Sequence, residues 1–201
     1  MISFEPTPDQ KMMKDSVADF ARTRLAPKIR EVEKARALAD QVKRDAFELG
    51  LALAPFAERV GGAGLGLMTT VLLEEEIAYG DPAAAFGFGG PGALGFAVTE
   101  LGTEEQAKEL LAHFGKPEAV GAVAWSEASA HKERPGLIAR ATKNGSTWTI
   151  DGEKSFVINA STASHFIVFA QVDESAGWNG TAAFVVENRA PGVSIGERAT
   201  T

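Results

Sequence analysis

The residues Gly87-Phe88-Gly89-Gly90-Pro91-Gly92 fit the G-x-G-x-x-G spacing. In a nucleotide-binding turn that spacing aims backbone N–H groups at a pyrophosphate, but the turn must follow a strand and open a helix. Here alanines and a helix-start signal come first, and Pro91 removes one N–H from the cradle, so close helix packing or a kink is the better reading. Glu74-Glu75-Glu76 could supply a catalytic carboxylate, yet such a run ordinarily forms a solvated helix face. His113, His131 and His165 are too widely spaced for a local metal motif, so no metal site is expected. The chain has no cysteine, which excludes thiolate metal sites, iron–sulfur clusters and thiol nucleophiles. A G-x-S-x-G elbow and a Walker loop are also missing, which leaves a serine hydrolase or P-loop enzyme without support. Asn144-Gly145-Ser146, Asn159-Ala160-Ser161 and Asn179-Gly180-Thr181 match the glycosylation sequon, and turn chemistry accounts for at least two of them.

The positions that could act must be held by a globular frame, and the composition supports one. The chain has 201 residues, 45% hydrophobic and 23% charged, enough for a sizeable core in one or two domains. Its 20 Lys and Arg against 27 Asp and Glu give a formal charge of -7, which disfavours nucleic acid as a partner. The segment Met1–Gln10 lacks the basic and apolar regions of a signal peptide, which predicts a cytoplasmic protein. The apolar run Ala83–Val98 contains five glycines and a proline and is shorter than the roughly 20 residues of a membrane-spanning helix.

Thr7-Pro8-Asp9-Gln10 combines an N-cap, a proline at the first helical position and a glutamine three residues on, which predicts a helix ending near Pro27. Further helices are expected over Lys28–Ala37, from Asp40 to Gly50, over Val71–Tyr79, from Asp81-Pro82 to Gly102, and from a second capping box at Thr103 to Gly115, with a loop over Pro55–Gly66. After Pro117 the pattern shifts to alternating and β-branched runs at Ala119–Trp125, Leu137–Ala141, Thr147–Asp151, Lys154–Ile158, Phe166–Val172 and Thr181–Val186, separated by turn residues. The expected class is α+β: an all-α module over residues 1–117, then a mostly antiparallel β module over 118–201.

Taken in order, several segments resemble the acyl-CoA dehydrogenase family. They are Glu48-Leu49-Gly50-Leu51, Pro55, Gly61-Gly62-Ala63-Gly64-Leu65-Gly66 and Glu74-Glu75-Glu76-Ile77-Ala78-Tyr79-Gly80-Asp81. After them come Leu101-Gly102-Thr103-Glu104-Glu105-Gln106, Trp125-Ser126-Glu127 and Ile150-Asp151-Gly152-Glu153-Lys154-Ser155-Phe156-Val157-Ile158-Asn159-Ala160. The resemblance implies a flavoenzyme that desaturates an acyl-CoA thioester between its α and β carbons. A glutamate takes the α-proton while a hydride passes to FAD, and the electrons leave to an electron-transfer acceptor. Removing so weakly acidic a proton requires a desolvated carboxylate and hydrogen bonds that polarise the thioester carbonyl.

By the same resemblance, Val123–Lys132 match the family's first flavin-contacting strand and loop. Val123 and Trp125 lie within it, Ser126 stands where a hydroxyl meets the flavin, and Phe156 stands where an aromatic ring packs on the isoalloxazine. Ile158 occupies the place of a threonine that donates to flavin N5, and it has no donor. Ala128-Ser129-Ala130-His131-Lys132-Glu133 replaces the family's glycine-bearing Pro-Gly-Ala-Gly-Ser-Asp. Lys132, with Ala85 and Gly89 of the helix matching Asp81–Leu101, is assigned to the acyl-CoA side. The small residues of that helix either leave room for a bulky acyl group or are closed off by Phe86, Phe88 or a neighbouring helix. No catalytic residue is assigned in this chain, because the family's base comes from a C-terminal helical bundle that the sequence does not include; its β module also stops short. Two readings follow. One is the N-terminal part of an acyl-CoA dehydrogenase-type enzyme, completed by a homo- or hetero-oligomeric partner and holding little FAD alone. The other is a non-catalytic, FAD-poor partner subunit or pseudoenzyme of an acyl-CoA dehydrogenase complex.

Overall fold

A computed structural model describes residues 5–128 and 135–198. The helical part starts as its cap requires. The Thr7 hydroxyl accepts the Gln10 N–H at 3.2 Å, and the Gln10 side-chain oxygen accepts the Thr7 N–H at 2.9 Å. Helix α1 (Pro8–Phe20) therefore opens with two of its orphan donors satisfied. Pro27 does not end the helical path. The chain passes through a π-turn (Ala21–Leu25) and a 3₁₀ turn (Ala26–Lys28), then resumes as α2 (Ile29–Ala35) and stops at Arg36, whose φ is +52°. The missing proline N–H is absorbed by a change of helical pitch.

Helix α3 spans Asp40–Glu48 and α4 spans Leu67–Gly80. The second begins before Val71 because Leu67 and Met68, although exposed, already follow the extended Gly66 into helical geometry. Thr69, Leu73, Ile77 and Gly80 form its buried stripe. Leu73 and Ile77 join Val17, Phe20, Ala21, Leu25, Val42 and Ala46 in one apolar core. The single helix expected from Asp81 to Gly102 is instead two, α5 (Ala84–Gly87) and α6 (Gly92–Leu101). Gly89 and Gly90 between them take φ of +93° and +81°, which no right-handed helix can continue through. Helix α7 (Glu104–Ala112) follows and packs on a short 3₁₀ turn at Glu58–Val60, where Arg59 and Glu104 pair at 3.1 Å.

By packing, residues 1–90 and 104–119 make one compact unit, and residues 91–103 and 120–201 make the other. In the second unit the strands are β1 (Gly121–Ala124), β2 (Arg140–Asn144), β3 (Thr147–Asp151), β4 (His165–Gln171) and β5 (Thr181–Glu187). β4 is central. It runs antiparallel to β5 along its whole length, parallel to β1 over His165–Val168, and parallel to β2 at Gln171. β2 and β3 form an antiparallel hairpin across Gly145-Ser146. The sheet is thus mixed, its two longest ladders antiparallel as the sequence suggests and its β1–β4 pairing parallel.

Helix α6 lies on β1, with Leu94 fully buried. A Cβ on Gly121 would sit 2.7 Å from the Pro91 carbonyl oxygen and 3.2 Å from the Leu94 Cβ, so glycine is what permits this approach. Lys154–Ile158, expected as a strand, is a loop and turn instead, with φ of +56° at Phe156. Among the described residues no helix is long and apolar enough to cross a membrane, and no group of three or more His, Cys, Asp or Glu is placed to hold a metal ion.

Ile77, 2% exposed at the centre of the helical core, gives a direct test of this packing. Ile77→Ala is expected to lower unfolding free energy by about 2–5 kcal/mol, read as an earlier urea midpoint with unchanged slope.

Candidate functional site

Three segments of the β unit meet at one carboxylate. Glu127 lies three residues beyond β1, Lys154 three residues beyond β3, and Ile138 and Ala139 just before β2. Glu127 Oε1 accepts from Lys154 Nζ at 2.8 Å and from the Ala139 N–H at 2.8 Å, and Oε2 accepts from the Ile138 N–H at 2.7 Å. The paired side chains are 3% exposed for Glu127 and 8% for Lys154. A charge this deep is tolerable only when opposed by another charge and fully hydrogen-bonded, and both conditions hold here. Lys154 also donates to the Trp125 carbonyl at 3.1 Å, and the Ser155 N–H donates to the Ser126 carbonyl at 2.8 Å. The loop after β1 and the loop after β3 are therefore stitched together by both side chain and backbone.

Burial alone would raise the Glu127 pKa. The Lys154 hydrogen bond, the two backbone N–H groups and the Lys154 charge outweigh it and hold the carboxyl below its ordinary value.

This stitching joins the loop that carries Trp125 and Ser126 to the loop that carries Phe156. Val123 is half-buried in β1, opposite Ile167. Trp125 packs edge-on against Phe169 at 4.9 Å between ring centroids and stacks on Trp178 at 6.1 Å, yet remains 44% exposed. Ser126 is exposed, and its hydroxyl makes no hydrogen bond among the described residues. Val157 turns inward to pack with Ala122, Ala163 and Phe166. Its neighbours turn outward, Phe156 being 84% and Ile158 59% exposed. The alternation that suggested a strand is real, but it belongs to a loop. Phe156 keeps a left-handed backbone, a conformation costing of order 1–3 kcal/mol for a non-glycine residue and one that collects at functional sites.

These residues fit a planar ring system: an outward aromatic side chain on a braced backbone stands close in the chain fold to an open hydroxyl. The Ile158 side chain is apolar and carries no hydrogen-bond donor. Lys132 and the replaced residues Ser129–Glu133 lie outside the described residues. Ala85 belongs to the helical unit, half-buried against its core, and Gly89 is half-buried at its left-handed turn. Nearby, a Cβ on Gly87 would meet Leu38 at 2.7 Å and one on Gly90 would meet Ala52 at 2.9 Å, so these two glycines serve close packing. Phe88 is likewise committed to the helical core, 5.9 Å from Phe20.

Sequence reasoning assigned no role to Glu127 or Lys154 themselves, nor to Gln171 and Trp178. The available signal was slight: Glu127 follows a mainly apolar run, where an unpaired charge is costly, but Lys154 stands beside Glu153 in a turn-rich segment and nothing local marks it as the partner.

A helical unit followed by a mixed sheet with paired loops at the ends of β1 and β3 defines the architecture, and comparison with known proteins gives the same frame. Residues 7–118 match the family model described as acyl-CoA dehydrogenase, N-terminal domain, and residues 122–201 match acyl-CoA dehydrogenase, middle domain. The chain belongs to the acyl-CoA dehydrogenase family. It is 31% identical over 196 residues to a probable acyl-CoA dehydrogenase, YngJ, of Bacillus subtilis (strain 168), covering 96% of this chain and 52% of that protein. It is 30% identical over 198 residues to the mitochondrial short-chain specific acyl-CoA dehydrogenase of Bos taurus, covering 98% of this chain and 48% of the other. Among solved structures, butyryl-CoA dehydrogenase of Megasphaera elsdenii superposes with a TM-score of 0.83 at 30% identity, over 95% of this chain and 51% of that one. The chain spans about half the length of the curated relatives it matches.

The lowered Glu127 pKa makes a stability prediction. Its contribution is fully present above the ordinary carboxyl value of 4.5 and is lost as pH falls from there through the depressed folded value. Wild-type protein should lose stability over that acid range. Glu127→Gln should show a shallower decline there, measured as thermal midpoint against pH.

Proposed function

We propose that this chain supplies the helical and flavin-facing β parts of an acyl-CoA dehydrogenase-type oxidoreductase. FAD, when bound, supplies the hydride acceptor for α,β-desaturation of an acyl-CoA thioester. The observation that carries the reading is the outward Phe156 at φ +56°, beside a loop whose Ser126 hydroxyl is open and whose backbone is held by the buried Glu127–Lys154 pair. Phe156 offers a ring face, Ser126 a hydrogen bond, and Trp125 and Val123 the strand end that holds them. Lys132, Ala85 and Gly89 are proposed for the acyl-CoA side. The α-proton is removed by a base outside these residues, supplied within a homo- or hetero-oligomer, and electrons leave to an electron-transfer acceptor. A cytoplasmic location is part of the same proposal.

Ile158 favours a second reading. A side chain with no donor forfeits a hydrogen bond to the flavin, as expected of a non-catalytic partner subunit that keeps the fold for assembly. Copurified flavin separates the two. On the first reading, protein isolated with its natural partner is yellow, and Ser126→Ala or Phe156→Ala lowers the bound fraction, while the 201-residue chain alone binds FAD weakly or not at all. A colourless assembly, with no response to added FAD, supports the second reading.

A further inference from the structure

Leu137, Ile138 and Ala139 are three successive residues ahead of β2 whose N–H groups are all captured by buried side chains. Leu137 donates to Gln171 Oε1 at 2.9 Å, and Ile138 and Ala139 donate to the two oxygens of Glu127. Gln171 is 3% exposed, and its Nε2 donates to the Asp173 and Gly177 carbonyls at 2.7 Å each. It thereby fixes the segment that carries Trp178 onto Trp125. From the other side, Lys154 links Glu127 to the Trp125 carbonyl. One short stretch of backbone thus anchors the loop after β1, the loop after β3 and the turn between β4 and β5.

We propose that Lys154 and Glu127 are positioning residues: their buried pair sets the placement of Trp125-Ser126 against Phe156, and so the affinity of the flavin site, an inference that rests on the cofactor reading above. Lys154 is the member that does this, because its ammonium is what joins the Glu127 carboxylate to the Trp125 carbonyl among the described residues. Its geometry has two separable consequences. The Trp125–Trp178 stack depends on where the Trp125 backbone is held, and the ring-binding surface depends on Ser126 and Phe156 being held together by the same stitch. Arginine is charged and can carry both bonds, whereas methionine is close in volume and can carry neither.

The test uses the 201-residue protein with Lys154→Met and Lys154→Arg, well below the thermal midpoint of each variant. Far-UV circular dichroism reports the fold, near-UV circular dichroism reports the stacked tryptophans, and quenching of flavin fluorescence on titration with FAD reports affinity. With the far-UV spectrum unchanged, Lys154→Met should alter the tryptophan signal and weaken FAD at least tenfold, and Lys154→Arg should restore most of both. A purely architectural role would lower the thermal midpoint while leaving the tryptophan signal and FAD affinity of the folded protein intact, and that result overturns the proposal. If Lys154→Met does not fold, Glu127→Gln/Lys154→Met removes both buried charges while keeping an acceptor for one of the two amides, and the same criteria apply to it. Where the wild-type chain alone binds too little FAD to titrate, which the cofactor reading allows, the same titration is run on the assembly with its natural partner. A wild-type assembly that binds no FAD sinks the cofactor reading instead, and the tryptophan signal then decides the positioning role by itself.

Discussion

Burying a carboxylate is among the most demanding things a small protein does, and in this chain the demand is met at Glu127. Its side chain is almost wholly removed from water and, among the described residues, is opposed by the Lys154 ammonium and by the Ile138 and Ala139 N–H groups. These donors come from two other segments, Lys154 after β3 and Ile138-Ala139 before β2, so satisfying the charge requires those segments to converge on the loop after β1. The loops after β1 and β3 cannot drift apart without leaving an unpaired charge in the interior, a situation far costlier than breaking an exposed pair such as Arg59–Glu104. The outward placement of Phe156 and the opening of Ser126 are consequences of that convergence. Val157, directed inward, anchors the turn from beneath.

The sheet and the helical unit meet simpler requirements. β4 is buried on alternate and adjacent positions because it has neighbours on both edges, and small residues at Ala122, Ala163 and Ala170 let the layers close. In the helices a single apolar stripe on α4 meets the stripe of α1. The two family-model matches abut near residue 120, and the change from helical to alternating periodicity falls in the same place. The packing units divide the chain differently, because α6 lies on β1 through Gly121 and so goes with the sheet.

Local chemistry was legible and long-range pairing was not. The capping box at Thr7, the hairpin at Asn144-Gly145 and the stop at Gly50 depend only on neighbouring residues, and each stands where residue type put it. The parallel pairing of β1 with β4 joins residues more than forty apart in the chain, and no local pattern encodes such a partner. Lys154–Ile158 misled for a related reason: alternation of inward Val157 with outward Phe156 and Ile158 mimics a strand, whereas Lys154 is drawn to Glu127 and the backbone turns. Likewise Gly89 and Gly90 looked like tolerable glycines in a helix until their left-handed backbone divided it in two. In the candidate site, Ser126, Phe156 and Ile158, singled out by the resemblance, face outward, whereas the Glu127–Lys154 pair beside them joins residues far apart in the chain and no local pattern encodes it.

The central claim is that Glu127 fastens the segment before β2. Ile138 lies outside any strand and its side chain is exposed, so the hydrogen bond from its N–H to Glu127 is what shields that amide. Hydrogen exchange at single-residue resolution tests this directly. The Ile138 and Ala139 amides should exchange as slowly as those of β4, despite lying ahead of β2. Exchange at the rate of an unprotected loop would contradict the account.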